Sequence, residues 1–382
     1  MKGRLLTLSF SHMSNDMLYT ALPPLLPLLA QQHNLSTAAL GLIPAAYMIS
    51  ASFLQIAVGA FYDRKQSVVM MPLGLAAGGF AIASIGFLPT YWAIFSAAVL
   101  GGVGSAFFHP VATSLSSASQ KRSMTVSVFM IGGDIGLALG SLVCSLAVSA
   151  MGLNGTLLLV FPPLAMAIAS SRIKNENINN TVQKMGAAFR SAGLKHLFML
   201  LAAAILRGVA ITSLITYLPL YLASRGYAVA HAGSLLTVML IAGAGGMLSS
   251  GLLSVKFGKT RVAAIYLLFS GILLLALVFT PTTYIIIALF LLGFVILAVH
   301  PLLVAASHDL LPNNVGMASA LMYGVTLGLA NLTVPLVGVL IDLLGYSTVF
   351  TFLSALPFAA ALLASRINVE KPAFSNAERM VN

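Results

Sequence analysis

Charge is what this sequence has least of. Of 382 residues only 7% are Asp, Glu, Lys or Arg, and eight are acidic, whereas a soluble domain carries roughly a quarter charged residues. A water-solvated surface of ordinary size is therefore excluded. Cysteine occurs once, at Cys144, so neither an intrachain disulfide nor a thiolate metal cluster can form. The longest polar stretch, "SRIKNENINNTVQKMGAAFRSAGLKH" at 171–196, is too short for a sensor domain, and nothing resembles a selectivity filter. HExxH, GxSxG and Ser-Lys arrangements are missing. "FGKT" at 257–260 fails as a phosphate loop because Leu253 stands where that motif needs glycine. These absences weigh against a channel, a receptor, an intramembrane enzyme and an ATP-driven pump; no cofactor and no metal site is expected.

What remains is apolar: 59% of residues are hydrophobic. Runs of about 20 apolar residues, the length that crosses about 30 Å of hydrocarbon as a helix, recur throughout. They place twelve spans near 5–31, 37–61, 68–88, 91–115, 125–148, 152–171, 197–223, 231–254, 262–280, 283–306, 316–340 and 347–365. Helices are required, because a lipid-exposed backbone must satisfy its own hydrogen bonds. The fold class expected is an all-α polytopic membrane protein.

Seventeen of the 19 basic residues fall on one side of this twelve-span arrangement, the exceptions being Arg225 and the intramembrane Arg207. Lys and Arg accumulate in cytoplasmic loops, so both termini are expected in the cytoplasm and the chain in the inner membrane. The +11 charge is dispersed over short segments. It reads as a topology signal, with no nucleic-acid partner. The first segment has no small-residue cleavage pattern and is expected to be a retained helix.

Sliding the second half over the first by 191 or 192 residues aligns Gly41 with Gly233, Gly59 with Gly251, Pro27 with Pro219, Gly102 with Gly293, and His109-Pro110 with His300-Pro301. The chain thus reads as an internal duplication: six helices over 1–171, a linker at 172–196, six helices over 197–366 and a tail at 367–382. Six spans per half make the repeats parallel, one of the architectures of secondary transporters, with sites near the midplane between the halves.

Three charged residues lie well inside spans: Asp16, Asp134 and Arg207. A charge at mid-bilayer costs at least about 2.5–3.5 kcal/mol on insertion scales, so such residues face a cavity or a partner. Each of the three, and His109, lies twelve residues from a basic residue, about 18 Å along a helix, which places them in one layer. His12, Asn15, Asp16 and Tyr19 share one helical face, and Arg207 is the repeat counterpart of Asn15. His109 and His300 both precede proline, which frees a backbone carbonyl and kinks a helix. Gly132, Gly136 and Gly140, spaced by four, form the close-approach pattern of membrane helices.

Taken together, the twelve spans, the two parallel halves, the central linker and "GAFYDRK" at 59–65 resemble the major facilitator superfamily. That heptapeptide is similar to the superfamily's loop motif, which implies gating roles for Gly59, Asp63 and Arg64. The repeat copy "GLLSVKFGK" has Val255 in place of the aspartate. His12, Asp16, "LPPLLPLL", "LSTAALGLI" at 35–43 and "FHP" at 108–110 resemble the fosmidomycin-resistance group of drug exporters. The resemblance implies a cavity lined by spans 1, 4, 7 and 10, hence substrate contacts at His12, Asn15, Tyr19, His109, Arg207 and His300. The glycine-rich fifth span resembles an antiporter signature, with Ser141 where that signature has proline. Proton-coupled efflux of small amphiphilic or anionic organic molecules or drugs by a monomer is expected, with Asp16 or Asp134 carrying the proton. Proton-coupled uptake or uniport is the alternative.

Overall fold

A computed structural model describes residues 2–118, 122–173 and 194–367; most of the linker and the tail lie outside these. The helices are α1 (Lys2–Thr20), α2 (Leu22–His33), α3 (Thr37–Lys65), α4 (Met70–Ser84), α5 (Tyr91–Ser117), α6 (Arg122–Met151), α7 (Phe161–Ser170), α8 (Leu194–Ser224), α9 (Val229–Phe257), α10 (Lys259–Phe279), α11 (Ile285–Ile296), α12 (Val299–Leu310), α13 (Val315–Ser319), α14 (Thr326–Leu344) and α15 (Tyr346–Ser365). No strand occurs among the described residues.

Among the described residues, ten runs are long and apolar enough to cross a membrane. One of them, Met124–Ser170, is 47 residues long and makes two passes: α6, then α7 reached through the 3-10 segment Gly152–Val160. The first crossing is not among these runs: α1, with Lys2, Arg4, His12, Asn15 and Asp16 in 19 residues, is too polar, and the chain breaks at Ala21, where Pro23 and Pro24 open the 12-residue α2. Proline fits the first turn, whose amides have no helical partner, and cannot continue a helix already under way. The result is twelve crossings, as the hydropathy pattern implied.

The duplication reappears as repeated contacts. Gly102 of α5 lies where a Cβ would strike the Tyr47 carbonyl of α3, and its counterpart Gly293 of α11 lies the same way against the Met239 carbonyl of α9. Tyr47 and Met239 are themselves repeat mates by the 192-residue offset. The proline pairs do not behave alike. Helix α5 runs unbroken through Pro110, whereas in the second half α11 stops at Ile296 and α12 starts at Val299, two residues before Pro301.

Contacts between the halves concentrate at the end away from the basic residues. There α3 packs on α14, α6 on α9 and α2 on α8. Ser141 Oγ of α6 donates to the Gly233 carbonyl of α9 at 3.0 Å, and Thr237 Oγ1 donates back to the Ala138 carbonyl at 3.1 Å. Tyr217 of α8 fills the space left by Gly41 of α3 and Gly338 of α14, and its hydroxyl donates to the Val334 carbonyl at 2.7 Å. Toward the basic end the faces part. On α9 the row that meets α6 at Gly233 and Thr237 runs on to Gly251 and Val255, where Gly251 has open space around it and Val255 is 87% exposed. Tyr217→Phe keeps the ring and removes one buried hydrogen bond, leaving the Val334 carbonyl to its helix. Thermal unfolding in detergent is expected to report a loss of about 1 kcal/mol.

Candidate functional site

The site is built on three helices, α1, α5 and α6, and glycine brings α1 and α6 together. Gly132, Gly136 and Gly140 of α6 lie against Ser9, Met13 and Met17 of α1, in each case where a Cβ would strike a backbone carbonyl. Two rows of period four thus run along each other, and the helices approach backbone to backbone. Gly133, one residue round the helix, faces the His12 ring and the Asp16 carboxylate, and a methyl group there would overlap both.

On α1, His12 and Asp16 stand one turn apart, with His12 Nε2 3.2 Å from Asp16 Oδ2. His109 of α5 reaches the other oxygen, with Nε2 3.4 Å from Oδ1. The Asn15 amide nitrogen lies 2.9 Å from Asp16 Oδ1, 3.1 Å from Ser105 Oγ and 3.2 Å from His109 Nε2. His12 is oriented from α6: its ring stacks on Phe129 with centroids 4.1 Å apart, and Nδ1 lies 2.8 Å from the Phe129 carbonyl.

This geometry constrains the protons. A carbonyl can only accept, so His12 Nδ1 carries a hydrogen. In a neutral imidazole Nε2 is then an acceptor, and it faces a carboxylate oxygen, which when ionised is also an acceptor. Two lone pairs do not rest at that distance, so one proton lies between His12 and Asp16, as imidazolium with carboxylate or as imidazole with carboxylic acid. An ionised Asp16 receives donors from His12, Asn15 and His109; placing a proton on it removes the need for one of them. The cluster is nearly sealed behind, where the His12 side chain is 5% exposed, and more open in front, where Asp16 and His109 are 16% and 29% exposed. Its ligating atoms lie within 4.8 Å of one another, a spacing compatible with a cation. Each, however, is already engaged within the network.

The remaining sequence-derived residues divide. Asp134 follows Gly133 on α6 and is within electrostatic reach of Asp16 and His12. Tyr19 is buried against Tyr47, ring centroids 5.8 Å apart, and makes no bond to the cluster. Arg207 is buried on α8 and does not pair with Asp16. Its Nε donates at 2.9 Å to the Ile296 carbonyl, at the C-terminus of α11, where unpaired carbonyls carry partial negative charge. His300 packs edge-on against Tyr323 with centroids 4.9 Å apart, and its buried Nε2 has no hydrogen-bond partner. Gly59, Asp63 and Arg64 stand at the basic end of α3, where Asp63 and Arg64 are exposed.

Three participants escaped the sequence reading. Ser105 is four residues before His109, on the same face of α5, and helical spacing could have found it. Tyr323 lies in the π-helical turn Ala320–Val325, within electrostatic range of both Asp134 and Arg207; a tyrosine in an apolar run gives no such signal. The Phe129 carbonyl has none at all, because every residue has one.

A family model described as Major Facilitator Superfamily matches residues 8–330 and 226–380. The chain is 26% identical to an uncharacterized MFS-type transporter, YfnC, of Bacillus subtilis, over 94% of this chain and 91% of that protein. It is 23% identical to the fosmidomycin resistance protein of Escherichia coli, with the same coverage of each. Among solved structures, a bacterial homologue of the human lysosomal transporter Spinster, inward-facing and occupied, superposes with a TM-score of 0.82 at 15% identity, covering 97% of this chain and 98% of that one. The nucleoside transporter NupG superposes at 0.77 and 15% identity, covering 96% of this chain and 100% of that one. At such identities the structures speak for the fold alone, and the fold agrees with the family match over nearly the whole sequence. The chain belongs to the Major Facilitator Superfamily.

Proposed function

We propose that this multi-pass transporter is a proton-coupled exporter of small organic anions, working by alternating access in the inner membrane. The observation that carries the reading is the His12–Asp16 contact at 3.2 Å, with His12 Nδ1 on the Phe129 carbonyl and Asn15 and His109 on the other carboxylate oxygen, a geometry that calls for a shared proton. A carboxylate whose donors rearrange when it is protonated gives a charge event that can bias two packings of the bundle, since a ligand shifts a conformational equilibrium only by its differential affinity. Asp134 is the second candidate carrier, close enough to respond to the same charge.

The basic end is taken as cytoplasmic by the positive-inside rule. The halves then meet on the outer side and part on the inner side, an inward-facing state in which protons and cargo exchange with the cytoplasm. The division into bundles at 1–171 and 197–366 supplies the two rocking bodies, and Gly59, Asp63 and Arg64 serve an inner gate when it closes. Cargo is assigned as anionic because Arg207 keeps a full charge in a buried site with no carboxylate bonded to it among the described residues. His300 Nε2, without a partner, offers a second polar contact there. Fosmidomycin, named in the E. coli relative, is the first probe.

Ser141 favours a second reading. Where the resembling antiporter signature has proline, this chain has a serine that bonds across the halves to Gly233, which leaves uptake by symport open. Vesicles of known orientation with an imposed pH gradient separate the two. Export predicts probe accumulation on the acidic side of the membrane; accumulation on the alkaline side assigns symport, and no pH effect removes proton coupling altogether. Arg207→Gln is expected to raise the half-saturating concentration of an anionic probe by about tenfold, the effect of losing a charged hydrogen bond.

A further inference from the structure

The N-terminus of α3 is completed by the other half of the molecule. A helix begins with amide groups that have no internal partner, and three of them can be followed here. The Ala39 amide donates to Ser36 Oγ at 3.2 Å, an ordinary local cap. The Thr37 and Ala38 amides donate instead to the two oxygens of Asp342, at 2.9 and 3.0 Å. Asp342 stands in the last turn of α14, some 300 residues away in sequence and in the opposite half. A carboxylate is thus clamped on the positive end of a helix dipole, two charge-assisted bonds at once.

The surfaces beside this clamp are smooth. Gly338, one turn before Asp342, lies where a Cβ would meet Ala38 and the Tyr217 hydroxyl, and Gly41, one turn after Thr37, lies against the same tyrosine. Asp342 itself is exposed at the mouth, so when the halves part, water can take over both the amides and the carboxylate. Such a contact can be made and broken in every cycle without stranding a buried charge.

We propose that Asp342 is the latch of the outer gate: its carboxylate, capping α3 across the halves, sets how strongly the closed outer face is favoured over the open one. The latch is distinct from the proton cluster. It rests on family-level alternating access and on the orientation adopted above, and it requires no particular cargo.

The test is a distance measurement by pulsed electron paramagnetic resonance, with spin labels at Gln32→Cys and Ser347→Cys. Cys144 is the only cysteine and is buried, so Cys144→Ser supplies a clean background. With Asp342→Asn, the ratio of closed to open outer face is expected to fall about tenfold, the equivalent of about 1.4 kcal/mol. Gly338→Leu, which wedges the same seam, should move the distribution in the same direction. Ser36→Ala removes only the local cap and should leave it unmoved. An unchanged distribution in Asp342→Asn overturns the proposal, and so does an equal shift in Ser36→Ala, which would reduce the effect to fraying of α3. Because the readout is a distance and not transport, a protein that moves no proton would still report on the latch.

Discussion

Asp16→Asn is expected to uncouple the transporter. Asparagine matches aspartate in size, so α1 keeps its packing on α6 and Asn15 keeps its bond to Ser105. What goes is the charge that three donors converge on, and with it the proton shared with His12. In proteoliposomes an imposed pH gradient should drive cargo at least about tenfold less than in the wild type, since a charged hydrogen bond contributes about 1.5–3 kcal/mol. Exchange of cargo at equal pH should survive. His12→Gln is expected to follow Asp16→Asn closely, while His109→Gln is milder, because His109 is the more distant donor at 3.4 Å and the more exposed one. Full coupling in Asp16→Asn would move the proton to Asp134.

The other large effect belongs to packing. Gly136→Leu places a branched side chain where even a Cβ would strike the Met13 carbonyl. Neither helix backbone can yield without lifting α1 from α6, and His12 then loses both the Phe129 ring and its carbonyl. A cost of about 3 kcal/mol, the upper part of the range for overpacking, is expected as a lower thermal midpoint in detergent, together with loss of pH-driven flux in whatever protein folds. Gly251→Ala is the matched control. Its surroundings are open, and alanine is the better helix former by about 1 kcal/mol, so stability should hold or rise. A Gly136→Leu protein as stable as wild type would mean that α1 and α6 do not meet as described.

How much of this was legible beforehand depends on the kind of interaction. The crossings were legible because hydrocarbon thickness fixes their length. The His12–Asp16 pair was legible because four residues make about one helical turn, and His109 because a His-Pro pair recurs in both halves. The break at Ala21, just before "LPPLLPLL", was not legible, because prolines bend a running helix as readily as they open a new one, and here they open one. Arg207 was expected in the substrate cavity, but its backbone partner was not legible. It meets the end of α11, and that end exists only because the helix stops at Ile296, ahead of the proline that marks it. Asp342 gave no signal, since a carboxylate at a helix end looks solvated until the partner helix is in place. Side chains that act within their own helix or repeat could be read from spacing. Those that act on another element's backbone could not.

The proposed mechanism depends on exchange of cargo for a proton through the His12–Asp16–His109 cluster. The most direct test follows both fluxes together in proteoliposomes of known orientation: cargo by radiolabel, protons by a trapped pH-sensitive dye. Cargo moving down its own gradient is expected to drive protons the opposite way in wild-type protein, and Asp16→Asn is expected to move cargo with no accompanying protons. Cargo movement without proton movement in the wild type, or proton movement undiminished in Asp16→Asn, would contradict the mechanism.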